Sequence, residues 1–529
     1  MKNNVELTKT NKYYDELSRF NYILSKVPLE YQEEAYLVND IMNYVTHNKD
    51  KLFYSNLNLM DNDRGLFYLT NYLKQNNTIK LFNLNNTIIS DLNSVFISNF
   101  IKENNYVHTF ELANNNFKEK GGINIAIALR YNTSIVNCYL STIFNKKFGI
   151  EELGKSFRIN KTIKNLDLSN NELGEQMTGF RELTEAIQTN RTIEKLNLRH
   201  NELVTNGTRL IADVISINRS ITFLDLSNNN IASTGCLLLS EALKINNIIK
   251  YLILNDNEIG EKGMQYLSTF IESPMTSVTH LEIRNCKIGD SGIRFASRAL
   301  TVNNILNFLD LGENNISDGI SHLGPALSIN NSLCKLDLSA NNNVKKNWDI
   351  IVDGLKDSHN LKNLNLSYNT ISAREWTKIA ECFNINTSIK HLNISSVYLG
   401  EEGSIKLGEI ISNNKSIENL NVSQCCLGEN KIQHIQHLVE GLKINSSLLN
   451  INLSRNDITD EGLEYLINAL ILNVSLKIID LSDNLITNLS GDKLIALTEK
   501  NKTIINLNLD LNNICLAFRR EINNELKKS

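Results

Sequence analysis

Residues 166–171 read LDLSNN, residues 196–201 LNLRHN, residues 224–229 LDLSNN and residues 252–257 LILNDN. The shared phrase is Leu-x-Leu-x-x-Asn, and it can be followed outward in both directions. Taking the first apolar residue of each copy as an anchor gives Leu57, Phe82, Phe110, Cys138, Leu166, Leu196, Leu224, Leu252, Leu281, Leu309, Leu336, Leu364, Leu392, Leu420, Ile451, Ile479 and Leu507. These 17 anchors span 450 residues at a mean interval of about 28, and eleven of the 16 intervals equal 28. Chance does not hold a register that long, so the chain is a tandem array of one small unit.

Each unit reads the same way. The alternate leucines predict a short strand with both side chains turned inward. A turn follows at the Asn. An amphipathic helix comes next, as in GLEYLINALILN from Gly462, where Leu463, Leu466, Ile467 and Leu470 share one face. No single unit can bury that face alone, so stacked neighbours must form a continuous core. Parallel strands sit about 4.8 Å apart and packed helices about 8–10 Å, a mismatch that bends the stack with strands on the concave side.

The pattern LxxLxLxxN followed by a long helix resembles the ribonuclease-inhibitor-type leucine-rich repeat over about residues 50–515. The resemblance implies an α/β horseshoe solenoid of about 17 βα repeats, with a parallel sheet on the concave face and helices on the convex face. Residues 1–50 are expected to form a helical N-terminal cap, residues 51–512 the repeat array and residues 513–529 a C-terminal capping helix. The same repeat subtype occurs in NOD-like receptor sensors, in the activator of the nuclear transport GTPase and in effectors of intracellular bacteria.

Composition narrows the function. The formal net charge is −4, which gives no reason to expect a nucleic-acid or membrane partner. No run of 18 apolar residues spans a membrane, and the first twenty residues lack the apolar core of a secretory leader. Eight Cys in 529 residues read as reduced thiols, not a disulfide framework. The chain holds 82 Asn and only 3 Pro and 24 Gly. Abundant Asn, Ile and Lys suggest an AT-rich genome. With the repeat subtype, this resembles an effector delivered into a host-cell cytosol, although a protist's cytoplasmic scaffold would look the same.

Two stretches imitate chemistry. Residues 149–156, GIEELGKS, fit the phosphate-binding pattern GxxxxGK[ST]. In the repeat frame, however, Gly149 and Gly154 fall where Gly403 and Gly408 fall, so the segment is expected to be an ordinary helix. Residues 425–437, CCLGENKIQHIQH, offer Cys425, Cys426, His434 and His437 at no common zinc spacing. Cys425 holds the Asn place and should turn inward, as should Cys286. No metal, cofactor or catalytic set is expected, and an open solenoid lacks the deep pocket most active sites use.

The Asn that ends the phrase should be scaffold. Buried at the turn, Asn171, Asn201, Asn229, Asn257, Asn314, Asn341, Asn369, Asn456, Asn484 and Asn512 can satisfy backbone groups of their own and adjacent coils. A partner would meet the outward strand residues instead. The column before the anchor reads Phe223, Tyr251, His280 and Phe308; the column between anchors includes Asp225, Glu282, Asp310 and Asp337; Arg199, His200 and Arg284 lie nearby. Aromatics flanked by charge are the composition of a protein-binding hot spot. Cross-strand packing that merely stabilises the sheet would use the same aromatics, and the pattern leaves both readings open. The expectation is a monomeric, non-enzymatic module that binds a protein on its concave face. The alternative is a regulator of an enzyme. Its GTPase-activator form is disfavoured by the terminal ELKKS, which replaces an acidic tail, and its ribonuclease-inhibitor form by the low Cys content.

Overall fold

The computed structural model describes residues 51–53 and 64–527, apart from 75, 88, 116, 145–146, 342–347 and 429–431. The expected N-terminal cap, residues 1–50, lies outside them. The chain divides into two compact units: one holds the described residues up to Ile231 together with Glu241–Ile253, the other holds Ala232–Ser240 and the chain from Leu254 onward.

In the first unit the strands are β1 (Lys51–Phe53), β2 (Leu81–Asn83), β3 (Thr109–Glu111), β4 (Asn137–Tyr139), β5 (Asn165–Asp167), β6 (Lys195–Asn197), β7 (Phe223–Asp225) and β8 (Tyr251–Ile253). In the second they are β9 (His280–Glu282), β10 (Phe308–Asp310), β11 (Lys335–Asp337), β12 (Asn363–Asn365), β13 (His391–Asn393), β14 (Asn419–Asn421), β15 (Asn450–Asn452), β16 (Ile478–Asp480) and β17 (Asn506–Asn508). Within each unit every strand pairs in parallel with the next, anchor opposite anchor, as in Leu166 with Leu196 and Leu364 with Leu392. A helix follows each strand, and none of the described helices is long and apolar enough to cross a membrane. The helix Asp460–Leu472 shows why these residues fold so: the Thr459 hydroxyl caps the Gly462 N–H, acids fill the first turn, and Leu463, Leu466 and Leu470 are buried.

The first anchor differs from the expectation. Leu52, not Leu57, lies opposite Phe82, so the opening interval is 30 residues instead of 25. The stretch KLFYSNLNL offers apolar residues at both places, and strand pairing selects the earlier one.

Outside the strands, three structural places recur among the asparagines. All ten turn asparagines named above are buried. Asn341 is representative: its Nδ2 donates to the Leu311 and Leu338 carbonyls at 3.0 and 3.1 Å, while its Oδ1 accepts from the N–H of Asn314 at 3.0 Å. A second ladder runs along the helix ends, from Asn76 to Asn501. There Asn218 donates to the carbonyls of Ile187 and Asn190 at 2.8 and 2.9 Å and accepts from the N–H groups of Ser220 and Ile221 at 2.8 and 2.9 Å. One side chain thus terminates its own helix and ties it to the preceding repeat. The third place is the residue before the turn Asn, which is left-handed in repeat after repeat, at φ 57° in Asn86, 58° in Asn114, 54° in Asn170 and 54° in Asn228. Asn enters that conformation at less cost than most residues with a Cβ.

Candidate functional site

Each strand turns its middle residue into the core and its first and third residues outward, so the outward residues form two columns. In the first unit Phe223 and Tyr251 are adjacent in the first column, ring centroids 6.1 Å apart, and Tyr251 is 44% exposed. Arg199 and His200 are exposed beyond the strand, and a His200 ring nitrogen meets the Asn228 amide at 2.6 Å.

In the second unit the column is not an exposed aromatic surface. Phe308 is only 8% exposed, covered by the His280 ring at 4.1 Å and by the Lys335 ammonium 4.4 Å above its face. Neighbouring side chains fold over it because adjacent strands stand so close. Phe308 is therefore an internal contact, which corrects the expectation for that residue.

The acidic column has a local use that the sequence reading missed. Asp225 Oδ1 accepts from the Ser227 N–H at 2.9 Å and hydroxyl at 2.6 Å. Asp337 likewise accepts from the Ser339 N–H at 2.9 Å, and Asp310 from the Gly312 N–H at 2.8 Å. These are strand-ending turns built by a side chain that mimics a backbone acceptor. The D-x-S and N-x-S spacing in phrase after phrase was the available signal. Asp310 is buried, and its carboxyl is pushed up to about 6, first by burial and then by the Asp337 charge. Glu282, by contrast, is held below its usual range, chiefly by His280 Nε2 at 2.8 Å.

Arg284 organises this corner. It stands where the adjacent phrases carry Asn255 and Gly312, and its guanidinium reaches across two repeats to donate to Ser339 Oγ at 3.0 Å, with Asp310 and Asp337 at 3.7 and 3.9 Å. Gly312 makes the crossing possible, since a Cβ there would lie 2.0 Å from the Arg284 Nη1.

Beyond that corner the second unit opens into a trough of about 560 Å³ along β11 to β16. Lys335, Asn363, His391, Asn419, Asn450 and Ile478 line it in one column, and Asp337, Asn365, Asn393, Asn421, Asn452 and Asp480 in the other. Three neighbours in the second column share one arrangement. The Oδ1 atoms of Asn393, Asn421 and Asn452 accept the N–H groups of Ser395, Ser423 and Ser454 at 3.0, 3.0 and 2.9 Å. That contact fixes the amide orientation. Their Nδ2 groups have no hydrogen-bond partner among the described residues, leaving a row of oriented donors on three consecutive strands.

The two chemistry-like stretches are absorbed by the scaffold. Gly154 lies within the helix Lys147–Ile159, where a Cβ would come within 2.8 Å of the Glu182–Leu183 backbone, so the glycine serves helix packing. Lys155 pairs with Glu151 at 3.0 Å, and the Ser156 hydroxyl donates to the Ala126 carbonyl at 2.7 Å. Cys425 is buried at the turn place, its thiol donating to the Ile394 carbonyl at 3.2 Å and pushed up to about 12 by burial. Among the described residues no group of three or more His, Cys, Asp or Glu could hold a metal ion.

Comparison with known families agrees with this architecture. Residues 189–211, 218–240, 246–268, 275–295 and 445–466 match the family model described as Leucine Rich repeat. No curated protein matches the chain. Four of those matches fall on the consecutive strand–helix units of β6 to β9 and the fifth on that of β15, and with the same unit repeated along the described residues the chain has the α/β leucine-rich repeat solenoid fold.

Proposed function

We propose that this chain is a non-enzymatic interaction module whose strand face binds a protein partner, and that the trough of the second unit is the seat. Leucine-rich repeats generally serve protein–protein interaction, through extended surfaces of this type. The observation that carries the assignment is the row of Asn393, Asn421 and Asn452 Nδ2 donors. Oriented amide donors spaced by about one strand separation suit a partner surface that presents carbonyl or carboxylate oxygens to them. Delivery into a host cell and regulation of an enzyme both rest on the family resemblance and would use the same surface.

The test replaces Asn393, Asn421 and Asn452 together by Asp. Asp already stands in this column at Asp167, Asp225, Asp337 and Asp480 and accepts the same turn hydrogen bonds, so the fold should be retained. The donors become anionic acceptors. Protein captured by the wild-type chain from a eukaryotic lysate should be lost from the triple variant at an unchanged melting temperature. Undiminished capture would remove the trough from consideration.

A further inference from the structure

A different surface of the first unit has a composition that partner binding on the strand face does not use. It is the edge where helices end and strands begin. Between helix and strand the connectors are residues 74–80, 104–108, 132–136, 160–164, 190–194, 218–222 and 244–250. They carry eight Lys or Arg and one acid, Glu194. The opposite connectors of the same unit, between residues 84 and 231, carry three of each sign. Lys74, Lys164 and Lys244 pair with Glu103, Glu194 and Glu241 at the same edge, and the one-sided surplus is the other five cations. Near-zero total charge conceals it because acids elsewhere offset it.

The same edge exposes large apolar side chains. Tyr131, Ile159 and Ile217 are the last residues of their helices, and they are 62%, 51% and 46% exposed; Tyr106 and Ile245 on the connectors are exposed too. The fold does not require apolar residues there, since Glu103 and Thr189 end two of the helices at the same place. The helix-end Asn ladder pins them in register: Asn160 donates to the Asn132 carbonyl at 3.1 Å and Asn246 to the Asn218 carbonyl at 3.4 Å. Lys80 lies 5.4 Å from the Tyr106 ring, so cation and aromatic form one surface. Basic residues alone would be explained by the negative ends of the helix dipoles. The exposed aliphatic row beside them would not. The second unit, taken by itself, shows a similar row in Val302, Ile329, Ile385, Ile444 and Leu472, with lysines outnumbering acids on its connectors from residue 303 onward.

We propose that this edge docks peripherally on an anionic lipid surface. Its Lys and Arg would lie over the headgroups, and Tyr131, Ile159, Ile217 and Ile245 would enter the boundary with the acyl chains. Stable peripheral attachment takes two signals, apolar insertion and a polybasic patch, and this edge supplies both. A second copy of the chain would bring an equally positive edge and be repelled. A nucleic acid would satisfy the cations but gain nothing from the exposed isoleucines.

The test is co-sedimentation of the full chain with phosphatidylcholine vesicles, with and without phosphatidylserine. Binding is expected only to the anionic vesicles, and should weaken as salt rises. Ile159→Ser/Ile217→Ser/Ile245→Ser should weaken it at least roughly tenfold, and Lys80→Gln/Lys161→Gln by roughly twentyfold, at about fivefold for each lysine lost. All five positions are exposed, and thermal melting checks that both variants fold. The proposal is overturned if the wild-type chain ignores anionic vesicles at low salt, if the isoleucine variant binds them as well as wild type, or if an oligonucleotide is bound in their place.

Discussion

Replacing Asn314 by Ala tests the turn ladder at one rung. Asn314 is fully buried; its Nδ2 donates to the Ile283 carbonyl at 2.7 Å and the Gly312 carbonyl at 3.0 Å, and its Oδ1 accepts from the Cys286 N–H at 2.9 Å. Alanine removes all three bonds and strands buried backbone groups in two repeats. At about 1–3 kcal/mol for each group left unsatisfied, and allowing for partial relaxation, the loss should be about 3–5 kcal/mol. Cysteine is the informative control, because the chain already uses it at this place. Cys286 donates its thiol to the Leu254 and Arg284 carbonyls at 3.1 and 3.3 Å. Asn314→Cys has one weakly donating S–H to share between the two carbonyls and accepts little from the Cys286 N–H, so it should recover only part of the loss and cost less than alanine. Urea unfolding followed by circular dichroism gives the stability change. Because long arrays can lose two-state behaviour, amide exchange at the Cys286 N–H supplies a local reading. An alanine variant within about 1 kcal/mol of wild type would refute the ladder reasoning. So would a cysteine variant no more stable than alanine.

Phe308→Ala should destabilise by about 3 kcal/mol, whereas Tyr251→Ala should barely change the melting temperature, since only the former side chain is buried; thermal melts of the two single variants compare them directly. Asp310 provides a pH test. Its folded-state value of about 6 lies above the ordinary 3.8, so the fold favours the protonated form. The resulting cost of ionisation is absent at pH 4 and below, grows as pH rises, and is complete above about 6. Asp310→Asn should therefore stabilise by about 2–3 kcal/mol at pH 7.5 and by little at pH 4. Destabilisation at pH 7.5 would show that attraction to Arg284 outweighs burial.

Much of the fold was legible because its rules are local and repeated. The alternate apolar residues and the helical spacing after them recur from unit to unit, and the phrase-ending Asn in most units, so the strand–helix unit and its inward residues follow from a single period. Where the phrase degenerates, that legibility stops. Residues 51–59 contain apolar residues in two possible registers, and only the pairing of Leu52 with Phe82 chooses between them.

What neighbouring repeats do to one another was not legible. Asn218 at a helix end reads locally as a stop signal, yet both donations of its amide run to the preceding repeat. Phe308 looks like part of an exposed column until His280 and Lys335 close over it. Charge behaves in the same way: a sum of −4 is a property of composition, whereas the basic edge exists only because the topology of the first unit brings its helix-to-strand connectors to one side. The sequence by itself determined the repeated unit, since periodicity is written along the chain. Exposure and the sidedness of charge follow from the tertiary structure alone, since each depends on side chains about 28 residues away that meet only when the repeats stack.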